Sequence, residues 1–310
     1  MYLETEIRAN SRDRWLLLAS VIVSATIAIA AWQATQVEGN LLQKLGRLAL
    51  YVAPLPAVLM LTRLFPAVRS QGLITPGTLQ DAGYFLLIIA FRIAFTAFFI
   101  TAVTSGFERH LGHLAFHVGE QWPVWLRVLV ALLFGDFLAW FHHLVRHKIG
   151  AFWEFHKVHH SQRDMNYFTD FRMHPIDYVI ANLIVIVPQL MLQVDVPTIV
   201  LIGILVQWHT MTYHSNLRWN YGPLRFVLVT PQSHRVHHSC QPEHHDRNFG
   251  VIFSIWDHLF GTQYRYYDCY PDTGVEARFP NERSFRDVLL LRPLWQQMIH
   301  PFRQVLRRRA

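Results

Sequence analysis

The sequence predicts an all-α integral membrane protein. It would have about four transmembrane helices, a membrane-associated helical hairpin and a cytoplasmic, histidine-rich helical cap. Three observations carry this expectation. Of 310 residues, 52% are hydrophobic and only 16% charged, too apolar a balance for an ordinary soluble domain. Several apolar runs are long enough to cross a bilayer. The 19 histidines crowd into clusters just beyond the ends of those runs.

The first run, "WLLLASVIVSATIAIAAW" at 15–32, has 18 residues, enough to cross about 30 Å of hydrocarbon at 1.5 Å per residue. No small-x-small cleavage site follows it, so it reads as a retained anchor. A second run at 48–65 is interrupted by Pro54, Pro56 and Arg63. A third, 79–103, carries Arg92, which must face protein or snorkel. The fourth, 122–141, holds Arg127 and Asp136 within its apolar pattern. A fifth block, 178–208, is too long for one straight span and is broken by "QVDVPT". Asp195 and Pro197 there predict a helical hairpin that turns on or within the membrane. If the hairpin returns to its starting side, the histidines at 143–160 and 209–238 share one face.

Lys plus Arg number 28 against 21 Asp plus Glu, a net charge of +7. The cations flank apolar runs, with Arg8, Arg12 and Arg14 before the first and Arg303, Arg307, Arg308 and Arg309 at the far end of the chain. That placement predicts a cytoplasmic membrane face and no nucleic-acid site. Cys240 and Cys269 are the only cysteines and show no CxxC spacing, which excludes a disulfide framework.

The histidines carry the chemistry. In "DFLAWFHHLVRHKIG", His143 and His147 are four apart, one turn along a helix and on one face. In "HKVHHS", His156, His159 and His160 form a second stripe, and His234, His237 and His238 in "SHRVHHS" repeat it. Neutral imidazoles are costly to bury without partners for their ring nitrogens, and metal ions supply partners. Eight ligands exceed what one tetrahedral ion needs, so two ions are expected. Imidazole suits Fe, Zn, Cu and Ni, so spacing does not identify the metal. His214 is a ninth candidate ligand, and His174, His209 and His245 are further ones. His142 points off the 143/147 stripe. His110, His113 and His117 read as interfacial. Asp136 is the favoured carboxylate for orienting an imidazole, with Glu154, Asp170 and Asp246 as alternatives.

The stretches "DFLAWFHHLVRH", "WEFHKVHHS", "MNYFTDFRMHP", "TPQSHRVHHS" and "NFGVIFSIWDHLFGT" together resemble the fatty acid hydroxylase superfamily, also called the sterol desaturase family. The resemblance covers about 130–264. It implies an integral-membrane di-iron enzyme that uses O2 and electrons to hydroxylate or desaturate a lipid C–H bond. It assigns His143 and His147 to the first histidine box, His156, His159 and His160 to the second, and His234, His237 and His238 to the third. His214 matches a further family histidine. Leu144 departs from the Arg that many members carry after the first-box histidine, which affects surrounding contacts and removes no ligand.

The expected cofactors are therefore two Fe ions, with O2 as co-substrate. The expected partner is a membrane lipid, whether fatty acyl, sterol or related. No haem-binding His-Pro-Gly-Gly occurs, so electrons are expected from a separate donor such as a cytochrome b5-like protein, a ferredoxin or a reductase. The competing readings are a desaturase on the same site and, more distantly, a metal transporter. A transporter would place its ligands at mid-depth, whereas these lie past the ends of the apolar runs. The expected division is N-terminal membrane helices over 1–121, a catalytic domain over 122–265 and a basic cytoplasmic tail over 266–310. No retrieval motif stands in "VLRRRA", which favours a bacterial inner membrane over endoplasmic reticulum.

Overall fold

The computed structural model describes residues 11–36, 40–115 and 121–307. Arg8, His117, Arg308 and Arg309 lie outside the described residues, and so does the side chain of Arg92. Among the described residues the fold is all-helical, with no β-strand.

The first apolar run becomes α1 (Ser11–Gln36). The second is split at Pro54 into α2 (Asn40–Val52) and α3 (Leu55–Leu64), because proline removes a helical donor and its ring crowds the preceding turn. The third lies within α4 (Pro76–His110), capped by Thr75, whose hydroxyl accepts from Thr78 N at 3.1 Å. The fourth is α5 (Val124–Lys148), which extends past its apolar part to carry the first two box histidines. Among the described residues, two helices, Arg12–Thr35 and Val124–Lys148, are long and apolar enough to cross a membrane by length and composition. α1 leaves Trp15, Ile22, Ile29 and Trp32 each at least half exposed.

The fifth block forms α7 (Pro175–Met191) and α8 (Val196–Tyr213), joined where the sequence predicts a turn. Asp195 caps α8 by accepting from Thr198 N at 3.0 Å. Gln193 sits in the turn with a φ of 54°. Arg127 of α5 donates to the Gln193 carbonyl at 3.4 Å, which explains a cation inside an apolar pattern. The far end of α8 returns to the start of α7, where Thr210 donates to Asp170 at 3.1 Å.

Short elements complete the chain. α6 (Gly150–His160) follows α5 at once. α9 (Pro231–His237), α10 (Ile255–Leu259), α11 (Phe285–Leu289) and α12 (Arg292–Arg307) come after α8. A buried cluster that includes Tyr84, Ile88, Val158, Met211 and Phe279 ties α4, α6 and α8 together. α6 therefore sits in the core, and its histidines have no route to bulk water as partner.

Candidate metal centre

The nine histidines expected from the sequence as ligands come together in two adjoining groups. His143, His147, His156, His160 and His237 form one; His159, His214, His234 and His238 form the other. Within each group the ligand atoms all lie within 4.8 Å of one another. Eight of the nine are buried, and His147 is half-buried.

Local chemistry explains how each stripe forms. α6 turns 156, 159 and 160 inward on one face, while Val158 packs into the core at 0% exposure. α9 is only seven residues long, too short to be stable alone, and a capping box secures its start. Thr230 Oγ1 accepts from Ser233 N at 3.0 Å and Ser233 Oγ from Thr230 N at 2.9 Å. His214 stands at the C-terminal end of α8.

The outward nitrogens fix the tautomers. Nδ1 of His143 donates to Phe249 O at 2.9 Å, His237 to Arg247 O at 2.8 Å, His159 to Arg172 O at 3.2 Å and His214 to Thr210 O at 2.7 Å. His156 Nδ1 donates to Asp177 Oδ2 at 3.0 Å. Arg146 also donates to both Asp177 oxygens, at 3.2 and 3.1 Å. Nδ1 of His143, His159, His214 and His237 faces only oxygen and so carries the proton, which leaves Nε2 as a bare lone pair. Nδ1 of His156 lies between Asp177 Oδ2 and Arg146 Nη1, 3.2 Å away, and the carboxylate favours the same tautomer.

Those lone pairs face one another. His143 Nε2 lies 3.1 Å from His156 Nε2, and His159 Nε2 lies 3.1 Å from His214 Nε2. Neither contact contains a proton to share. His237 Nε2 is buried with no partner at all. A cation in each group resolves this, because every Nε2 then becomes a ligand. Protons cannot do the same work. Burial, reinforced by neighbouring imidazoles and, at His156 and His159, by Arg146, drives His156, His159, His160, His234 and His238 well below the ordinary histidine range. Burial lowers His237 to about 4. The residues present therefore fit two transition-metal ions bound through nitrogen.

The remaining candidates lie elsewhere. His174 caps α7 through Ile176 N at 3.2 Å and meets Met298 O with Nε2. His209 packs edge-on against Tyr213. His245 is exposed. None of the three belongs to either group. His142 is also outside them, and His110 and His113 are exposed.

Asp136 does not touch a histidine, contrary to the sequence expectation. It accepts from Ile252 N at 2.8 Å, Phe253 N at 3.0 Å and Trp256 Nε1 at 2.9 Å. Asp257 accepts from Phe249 N and Gly250 N, each at 2.8 Å, and from Trp140 Nε1 at 3.0 Å. These two carboxylates staple the "NFGVIFSIWD" loop onto α5. That loop presents the Phe249 carbonyl to His143, so Asp136 acts on the site through the loop. Gly250 is required there, because a Cβ would stand 2.7 Å from Val229 Cγ2 and 2.8 Å from Phe253 O.

Glu154 pairs with Lys157 at 3.1 Å and Asp246 with Lys148 at 2.5 Å, so neither orients a ligand. Asp170 does, at 3.3 Å from His214 Nδ1. Sequence reading missed Asp177 and Arg146, although a carboxylate in the first turn of the apolar α7 was a usable signal. Asp177→Asn should weaken metal retention by about 10–100-fold, as is typical for a group that orients a ligand. Metal content after graded chelator washing checks this. Retention equal to the unsubstituted protein would show that His156 needs no carboxylate.

Residues 128–262 match the fatty acid hydroxylase family. The chain is 26% identical over 215 residues to an ornithine lipid hydroxylase, OlsE, of Rhizobium tropici, covering 68% of this chain and 65% of that protein. It is 30% identical over 173 residues to an alkylglycerol monooxygenase of Caenorhabditis elegans, covering 55% of this chain and 33% of the relative. The human alkylglycerol monooxygenase is 30% identical over 139 residues, covering 44% and 30%. The chain thus spans less than two-thirds of the length of each. No solved structure matches.

Proposed function

We propose that the protein is a membrane-embedded lipid hydroxylase holding two metal ions, one in each histidine group, with iron as the metal implied by the family resemblance. The observation that carries this reading is the pair of lone-pair contacts, His143 with His156 and His159 with His214. An all-imidazole set fits iron as well as other transition metals, and the relatives named as lipid hydroxylase and monooxygenase favour oxygen insertion over desaturation.

Bound iron would supply the reductive activation of O2 needed to attack an unactivated C–H bond. The chain's own residues supply the rest. Five outward Nδ1 donors hold their rings in one tautomer, so each Nε2 is ready to bind without losing a proton. α5, α6, α8 and α9 enclose both groups and exclude bulk water. The exposed apolar surface of α1 supports insertion into lipid. Electrons come from a separate redox protein, and the basic residues beside α1 favour a cytoplasmic site.

The test compares total lipids, by mass spectrometry, from matched cells expressing the protein or its His159→Ala, His237→Ala variant. A lipid gaining one oxygen only with the histidines intact is the expected result. A lipid losing two hydrogens would replace hydroxylase by desaturase. Identical lipids, together with purified protein that retains no iron, would sink the oxygenase reading.

A further inference from the structure

α12 turns an apolar side outward. Pro293, Gln297 and Pro301, each four residues from the next, form its buried side. Gln297 Oε1 accepts from Gln80 Nε2 at 2.9 Å and from the Tyr84 hydroxyl at 2.7 Å, which clamps that side to the first turns of α4. At about 100° per residue, Trp295, Ile299, Phe302 and Leu306 fall in one stripe on the opposite side. All four are exposed, Trp295 at 63% and Leu306 at 66%.

The borders of the stripe say what covers it. Along one edge stand Arg292, Arg303 and Arg307, all exposed, and no Asp or Glu occurs from 288 to 307. Along the other edge Leu294 and Met298 pack against the buried cluster, so the helix is fixed and not a loose tail. α11 packs against both α12 and α4 and exposes Phe285, Leu289 and Leu290 in its turn. On α4, Leu79 and Leu86 are exposed, seven residues apart and so on one side. Three neighbouring helices thus present apolar side chains outward at one end of α4. A helix with Trp, Phe and Leu on one side and Arg beside them, too polar to cross a bilayer, has the composition of one that lies in the plane of the interface. The uncompensated arginines call for a negatively charged cover, and a bilayer supplies charge and apolar depth together.

We infer that α12, with α11 beside it, lies flat on an anionic bilayer surface. Trp295, Ile299, Phe302 and Leu306 enter the boundary between headgroups and acyl chains, and Arg292, Arg303 and Arg307 meet lipid phosphate. Because Gln297 ties α12 to α4, this contact also fixes how deep the first turns of α4 sit. The surface lies outside residues 128–262, the part that matches the hydroxylase family, and does not depend on what the histidine centre oxidises.

The test uses the full chain in nanodiscs of phosphatidylcholine and phosphatidylglycerol. The two free cysteines, Cys240 and Cys269, are replaced by serine, and a nitrobenzoxadiazole fluorophore is attached through Ile299→Cys on the stripe or Gln296→Cys on the arginine edge. Both positions are exposed, so neither label disturbs the Gln297 clamp. The label at 299 should be quenched by lipids with a nitroxide near the headgroup end of the acyl chain and protected from aqueous dithionite. The label at 296 should be reduced. Nitroxide phosphatidylglycerol should be preferred over nitroxide phosphatidylcholine at 299 by about fivefold, the preference expected of one basic residue at an anionic surface. Replacing all three arginines by glutamine should erase that preference and leave the protection. Equal reduction at 299 and 296 would mean that the stripe faces water and overturns the inference. Protection without lipid quenching would mean that a second copy or another protein covers the stripe, and overturns it too. A preference that is absent, or that survives loss of the arginines, overturns their role. No turnover is measured, so failure of the hydroxylase reading leaves each of these outcomes as it stands.

Discussion

Replacing His214 by alanine should empty the four-histidine group and leave the five-histidine group filled. Metal bound to the purified protein should fall from about two ions per chain to about one. Oxygenated lipid should fall by more than about 100-fold, beyond the range typical for groups that only orient a ligand. The reason is geometric, since His214 Nε2 sits 3.1 Å from His159 Nε2 and 2.7 Å from His234 Nε2, between two other ligands. His209→Ala makes the comparison sharp, because His209 lies five residues earlier on the same helix and outside both groups. Elemental analysis of both variants decides the matter. Two ions retained without His214 would remove it from the ligand set.

The second large effect concerns charge buried beside the site. Arg172 is 0% exposed and donates through Nε to Asp81 Oδ1 at 2.5 Å, and through Nη2 to Glu282 Oε1 at 2.8 Å. Nη1 reaches Ser161 Oγ at 3.1 Å, directly after the second histidine box. Asp81 also accepts from Gln162, from Asn166 Nδ2 at 2.8 Å and from Thr169 Oγ1 at 2.8 Å. The carboxylates of Asp81 and Glu282 raise the Arg172 pKa against the opposing effect of burial, so the guanidinium stays charged.

Arg172→Ala leaves two carboxylates buried without their cation. Removing one partner of a buried pair costs about 3–5 kcal/mol. The Tm of the detergent-solubilised protein should fall by at least about 5 °C. Because the Arg172 carbonyl accepts from His159 Nδ1, metal should also leave the four-histidine group more readily. Arg172→Lys keeps the charge but loses the planar fork, and should recover only part of both losses. An unchanged Tm in Arg172→Ala would mean that the carboxylates are neutral or reach water.

Helix content and the histidines that cluster were legible in the sequence because both are periodic and local. Apolar runs mark α1, α4 and α5, and Pro54 and the "QVDVPT" break divide the second and fifth runs where the helices stop. Spacings of three and four put His143 with His147, and His156 with His159 and His160, on single helical faces. The length of α5 was underread, because its last turn carries Arg146, His147 and Lys148 and no longer looks apolar.

What needed the tertiary structure was every relation between stripes. Spacing places His156, His159 and His160 on one helix face, yet the fold sends His159 to one group and His156 and His160 to the other. A single turn of helix spreads three rings wide enough for this, and only the positions of α5, α8 and α9 decide which ring joins which neighbour. The carboxylates show the same limit. Asp136 was expected at an imidazole and instead holds a loop more than a hundred residues away in sequence, while Asp177 reached His156 from a separate helix. Composition and period determine which residues become helices and which histidines point inward, because those depend on neighbours in the chain. Partner choice depends on how helices pack, and that is decided only when the buried charges, capped turns and aliphatic surfaces are satisfied together.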